Sequence, residues 1–245
     1  MNGTVLFISD THFKYKVNED AERRKRKLFV DFLESVTGVE RLYLVGDIFD
    51  FWFEYGNVVP GHYSDVLCAL GRLRGSGTRI MMMGGNHDHW LGSALTDDYG
   101  IEILASEVTH DLQGRKITIT HGDSVMPGDR GYKLLKAIIR SRPVISLARL
   151  LHPDLLFSFA HWFSKCSKGV TESRTSRYAR QLASIAESSF FGGGNDTFVM
   201  GHVHLPLLER YGDRTFVILG DWETHFSYLR LSGGELSLER YHSDG

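Results

Sequence analysis

Five short apolar runs in this chain end in residues that bind metals or protons, and that placement limits the fold more than any bulk property. Thr4–Ile8 leads into Ser9-Asp10-Thr11-His12, residues 41–45 into Gly46-Asp47, and Arg79–Met83 into Gly84-Gly85-Asn86. Residues 116–120 lead into His121, and Thr197–Met200 into Gly201-His202-Val203-His204. Apolar runs of this length, rich in β-branched residues and bounded by turn formers, read as buried strands. A side chain at the carboxyl end of a strand sits on one rim of its sheet, where α/β proteins build their sites. Gly46, Gly85, Gly122 and Gly201 allow tight turns there. Taken singly, an Asp after a strand is a turn or cap residue and a His is a surface or core residue. Five such placements together point to one constellation: Asp10, His12, Asp47, Asn86, His121, His202 and His204.

The intervening sequence sets the connections. Residues 19–36, with Phe29, Phe32, Leu33 and Val36 at helical spacing, and residues 62–73 read as helices between the first three strands. Strand, helix, strand in that order is the pattern of a largely parallel sheet. The second half reads differently. Residues 108–111 and 116–120 flank Gln113-Gly114 as a hairpin, and residues 207–211, 215–219, 227–231 and 236–240 read as an antiparallel meander. Residues 129–189 carry helical patterns and no convincing strand. The expected architecture is α/β, with two packed sheets flanked by helices and a helical insertion. Its core spans 1–128 and 190–245, with 129–189 as a lid over the site.

The 245 residues, 42% hydrophobic and 24% charged, suit one large globular domain. A net charge of −2 gives no basic field for nucleic acid. Cys68 and Cys166 form no C-x-x-C pair, so a reduced, cytoplasmic chain is the simpler expectation. The first residues read as a strand rather than a signal peptide, and no run reaches the ~20 apolar residues of a membrane span. The basic run at residues 23–27 reads as a solvated helix face.

A donor set of imidazoles, carboxylates and one amide, without thiolate, suits Mn²⁺, Fe or Zn²⁺. Seven donors exceed one catalytic ion's needs and suffice for two ions about 3.5–4 Å apart, the arrangement that drives in-line displacement at phosphorus. The series Asp10-Thr11-His12, Gly46-Asp47, Gly85-Asn86-His87-Asp88, His121-Gly122-Asp123 and Gly201-His202-Val203-His204 resembles the calcineurin-like metallophosphoesterases in order and spacing. The resemblance implies their two-sheet α/β/β/α sandwich and two divalent ions, Mn²⁺ foremost. It implies one ion on Asp10, His12, Asp47 and His204, and a second on Asp47, Asn86, His121 and His202, with Asp47 bridging. Asp88 and Asp123 would orient ligating histidines, and His87 would be the general acid.

Within that superfamily the chain is most similar to the UDP-2,3-diacylglucosamine pyrophosphatases of lipid A synthesis. The likeness rests on Asp47-Ile48-Phe49-Asp50-Phe51-Trp52, on Asp129 and Tyr132 after His121-Gly122-Asp123, on Ser167-Lys168, and on Leu219-Gly220-Asp221-Trp222. It implies hydrolysis of UDP-2,3-diacylglucosamine to UMP and 2,3-diacylglucosamine 1-phosphate (lipid X) by water that the ions activate. The substrate would meet Asn86, His87, Asp129, Tyr132, Ser167, Thr171, Arg174 and His202. The chain departs from that family in His87, where the family has Arg, and in Thr171 and Arg174, where it has Asn and Lys. The apolar stretch 144–163 would hold acyl chains or rest on the cytoplasmic face of the inner membrane, with Leu155, Phe159 and Trp162 as walls. Its composition alone favours the core of a small helical subdomain, and the resemblance is what points to acyl chains. The partner this resemblance implies is a lipid-linked nucleotide sugar, with no nucleic acid expected, and the expected state is a monomer or small homo-oligomer. Two alternatives stand: a phosphoesterase acting on a soluble nucleotide, nucleotide sugar or phosphodiester, and a metal-bearing scaffold that binds a partner through the insertion.

Overall fold

The computed structural model describes residues 3–15, 20–55, 58–123, 138–139, 141–161, 191 and 194–242. The chain opens as β1 (Thr4–Ile8), α1 (Asp20–Ser35), β2 (Val39–Val45), a 3₁₀ turn at Gly61–Tyr63, α2 (Ser64–Gly75) and β3 (Arg79–Met83). A short α3 (Ser93–Asp97) and β4 (Glu102–Ile103) follow. These two escaped sequence reading because five and two residues are too few to show a period. β1 to β4 pair in parallel, as the helix-separated runs require.

The hairpin of β5 (Glu107–Leu112) and β6 (Arg115–Thr120) turns at Gln113 and Gly114, both with positive φ (52° and 82°), as a two-residue hairpin turn demands. β6 pairs in parallel with β7 (Thr197–Met200), and β7 with β9 (Arg214–Ile218), whose other edge carries β8 (Leu207–Tyr211). The expected single meander is therefore wrong. Both edges of β9 are occupied, so β10 (Ser227–Ser232) crosses to the first sheet, pairs with β1, and brings β11 (Glu235–Arg240) with it. The result is a six-stranded mixed sheet, β11-β10-β1-β2-β3-β4, and a five-stranded one, β5-β6-β7-β9-β8.

Alternation along the strands divides the core. Val5, Phe7, Tyr43, Val45, Met81 and Met83 face the second sheet's Ile117, Ile119, Val199 and Val217. Leu6, Ile8, Leu42, Leu44, Ile80 and Met82 face the helices through Phe29, Phe32, Leu67 and Leu70. Phe198, Met200, Phe216 and Ile218 form a third cluster on the second sheet's outer face. The helical layer expected there falls outside the described residues.

Of the insertion, α4 (Arg142–Ala148) and helical residues 153–161 are described. Ala148, Leu156 and Phe157 join the helix-side core, with the Phe157 ring 4.9 Å from Phe51 and 5.4 Å from Tyr15. Leu155 and Phe159, expected as walls for acyl chains, are 65% and 60% exposed, because the helix turns its Leu156–Phe157 side inward. Trp162 and Cys166 lie outside the described residues; Cys68 is a free thiol. Among the described residues no helix is long and apolar enough to cross a membrane.

Candidate metal centre

Five of the seven non-glycine residues with positive φ among the described residues are Asp10, His12, Asp47, His202 and His204, with φ of 55°, 44°, 53°, 70° and 60°. Left-handed backbone costs a side-chain-bearing residue free energy, and such strain collects where function requires it. Hydrogen bonds hold these turns together across the strand ends. The Asp10 N–H donates to the Gly46 carbonyl (3.1 Å), His12 N–H to Asp47 (3.0 Å), and Trp222 N–H to Asp10 (3.2 Å). At Gly85 a Cβ would collide with the Asp47 carboxylate and amide, so glycine there lets the Asn86 turn close on Asp47.

The side chains converge in two joined groups. Asp10, His12 and His204 form one, with His204 Nε2 3.3 Å from Asp10 Oδ1 and 3.2 Å from His12 Nε2. Asp47, His121 and His202 form the other, with Asn86 Oδ1 3.3 Å from His121 Nε2. Asp47 Oδ2 stands between them, 3.8 Å from His12 Nε2 and 3.4 Å from His121 Nε2. Asp10 Oδ1 is buried and accepts no hydrogen bond, although it lies within 4 Å of two imidazole nitrogens. A buried carboxylate in that position is stabilised by cations, whether protonated imidazoles or metal ions. The buried His/Asp clusters, free of sulfur, are consistent with a two-metal site.

The electrostatics agree. Burial alone would raise the Asp47 carboxyl, yet His121 and His87 hold it well below the usual carboxylate range. Burial opposes charge on His121 and His204, but Asp47 lifts the first to about 10 and Asp10 with Asp221 lifts the second to about 9. His202 is pushed down to about 4 by burial and by His121. Protons here occupy the place of stronger cations: ligating imidazoles must shed them when metal binds.

Around this centre the His87 backbone N–H donates to Asp47 Oδ1 (2.8 Å), while its imidazole sets Nδ1 3.5 Å from Asp50 Oδ1 and lies edge-on to His12 at 4.8 Å. Asp88 corrects an expectation. It orients no histidine; its carboxylate accepts the backbone N–H groups of Asp47 (3.1 Å), Ile48 (2.8 Å), Phe49 (3.2 Å) and Gly85 (2.8 Å), locking two site loops together. Burial and the charge of Asp47 raise it to about 6. Asp123 is half-buried and its charge raises the pKa of His121. Asp129, Tyr132, Ser167, Thr171 and Arg174 lie outside the described residues.

Sequence reading passed over Asp50, Asp221 and Ser9. Asp50 lies 3.9 Å from His12 Nδ1 as well as beside His87. Asp221 Oδ2 lies 3.0 Å from His225 Nδ1 and 4.0 Å from His204 Nδ1, while Oδ1 accepts the N–H groups of Glu223, Thr224 and His225. The Ser9 hydroxyl donates to Asp10 Oδ2. The available signal was acidic residues inside the motifs already recognised, and a hydroxyl beside a ligand-type Asp. A cavity of about 880 Å³ lies between the core and the insertion, walled by Glu54, Gly84, His89, Trp90 and Leu91 of the core and by Ile145 and Arg149 of the insertion, and none of the ligand-type residues lines it.

The calcineurin-like phosphoesterase pattern matches residues 3–206. A UDP-2,3-diacylglucosamine hydrolase of Xanthomonas campestris pv. campestris is 30% identical, covering 97% of this chain and 98% of its own length. One from Porphyromonas gingivalis is 28% identical, covering 98% of each. Among solved structures, the zinc-complexed Vps29 of Entamoeba histolytica overlaps with a TM-score of 0.45 at 15% identity, covering 97% of this chain and 98% of that one. With the pattern spanning most of the chain and its ligand-type residues gathered on one sheet rim, the protein belongs to the calcineurin-like phosphoesterases.

Proposed function

We propose that the protein hydrolyses the pyrophosphate of UDP-2,3-diacylglucosamine, releasing UMP and 2,3-diacylglucosamine 1-phosphate. The observation that carries this reading is full-length similarity to enzymes of that name. In this reading Asp10, His12, Asp47 and His204 hold one divalent ion, and Asp47, Asn86, His121 and His202 hold another. Two such ions, Mn²⁺ foremost, would supply activation of water and neutralisation of charge on the phosphoryl oxygens.

The chain's own residues do the remaining work. Asp88 fixes the Asp47 and Gly85 backbones, so the shared carboxylate keeps its place. Asp50 engages His87 at Nδ1, which leaves Nε2 to steady or protonate the departing oxygen. His87, Asn86 and His202, with Asp129, Tyr132, Ser167, Thr171 and Arg174 of the insertion side, are proposed to bind substrate. The exposed Leu147, Leu150, Leu155 and Phe159 then offer an apolar face for acyl chains or a peripheral contact with the inner membrane, and residues 129–189 serve as the lid.

His87, in place of an arginine, favours a second reading, hydrolysis of a soluble nucleotide sugar or phosphodiester. The test is UMP release from UDP-2,3-diacylglucosamine against UDP-GlcNAc and a nitrophenyl phosphodiester. Preference for the diacylated substrate by several orders of magnitude in kcat/KM is expected, since each buried CH₂ contributes about 0.8 kcal/mol. Preference for UDP-GlcNAc would transfer the assignment to the second reading.

A further inference from the structure

The basic run at residues 23–27 is not a uniform solvated face. Arg23 and Lys27 are exposed, while Lys25 and Arg26 are only 7% and 3% exposed. Lys25 Nζ donates to the His12 carbonyl (2.9 Å), and lies 3.0 Å from Glu22 Oε2 and 3.5 Å from Glu223 Oε1, above the Phe13 ring at 5.5 Å. Glu22 Oε1 accepts the Lys14 N–H (2.9 Å) and Arg26 Nε–H (3.1 Å), and Arg26 donates to the Lys14 and His62 carbonyls. One face of α1, at positions i, i+3 and i+4, thus grips the backbone from 12 to 14.

Packing does not require this. Phe29, Phe32 and Leu33 already bury α1, and buried ions cost desolvation that apolar residues would avoid. The polar set instead ends on the peptide that follows His12, a residue held at φ 44°. The His12 N–H is fixed by the Asp47 carbonyl and its carbonyl by Lys25, so both ends of a strained residue are pinned. We infer that Lys25 is a positioning residue of the metal centre, fixing His12 between α1 and the Glu223 segment. This rests on the hydrolytic reading above, in which His12 holds a metal.

Lys25→Met, close in shape and without charge, tests it through Mn²⁺ titration of the metal-stripped protein, kcat and KM on a nitrophenyl phosphodiester, and Tm. The expected result is about 10–100-fold weaker Mn²⁺ binding and a fall in kcat with KM little changed, partly restored in Lys25→Arg. A folded Lys25→Met with lowered Tm but wild-type Mn²⁺ affinity and kcat would make Lys25 structural and overturn the inference. Should that variant not fold, Glu223→Gln decides, since Glu223 is 34% exposed and anchors Lys25 on the far side. Mn²⁺ binding several-fold weaker supports the inference, and unchanged binding overturns it. A wild-type protein that binds no Mn²⁺ defeats both readings, whereas a binding wild type matched by its variants defeats this one alone.

Discussion

The sheet rim and the insertion partition their residues in opposite ways. At the rim, Asp10, His12, Asp47, Asp88 and His121 are all buried, and at Asp10, His12 and Asp47 the backbone bends into left-handed conformations. In the insertion, Leu147, Leu150, Leu155 and Phe159 face solvent while Leu156 and Phe157 anchor it to the core. Buried carboxylates and exposed apolar surface both cost free energy unless something meets them. The rim calls for cations. The insertion offers an apolar face, which is the physical basis for proposing catalysis at the first and substrate selection at the second.

Removing the Asp47 carboxylate, proposed to serve both ions, is the harshest test of the rim. Asp47→Ala should cut hydrolysis of every substrate at least about a thousandfold and lower bound metal, read by elemental analysis. An active variant with its full metal content would break the comparison on the catalytic side. Next comes His87→Ala, expected to lower kcat by about 10²–10⁴-fold with metal content intact. If His87 stands in for the family's arginine instead, His87→Arg will keep the lipid substrate's turnover, and a pair of neutral variants would remove His87 from the site.

The insertion is tested by the double variant Leu155→Asp with Phe159→Asp. Both positions are exposed, so the change in stability should stay within about 1 kcal/mol. Turnover of the diacylated substrate should drop about tenfold or more, from the loss of several buried methylenes, while a small phosphodiester is hydrolysed as before. Equal loss of both activities at unchanged Tm would dissolve the division of labour.

The smallest effect is on pH. His121 at about 10 and His204 at about 9 bind protons more tightly in the folded than in the unfolded chain, where histidine titrates near 6.5. Their contribution is complete below about 6.5 and is lost as pH rises through 9 to 10. The metal-stripped protein should therefore lose Tm between pH 7 and 10, by about 2–4 °C per kcal/mol, and the Mn²⁺-loaded protein should lose less. Parallel curves for the two forms would mean that metal does not displace those protons.

How much of this was legible beforehand follows from the range over which each feature is encoded. Thr4–Ile8, Arg79–Met83 and Thr197–Met200 were readable to the residue, because a buried strand is a local run of apolar residues ending in turn formers. The ligand-type residues were readable for the same reason: each closes such a run, and parallel pairing sends the ends to one rim. Strand partnership was not local. Only the assembled sheets show that β9 has no open edge and that β10 must cross to β1. Nor could composition separate Lys25 and Arg26 from Arg23 and Lys27, or Leu156 and Phe157 from Leu155 and Phe159. Neighbours of like chemistry on one helix differ only in the direction they face, and the packing of that helix against the rest of the molecule sets that direction.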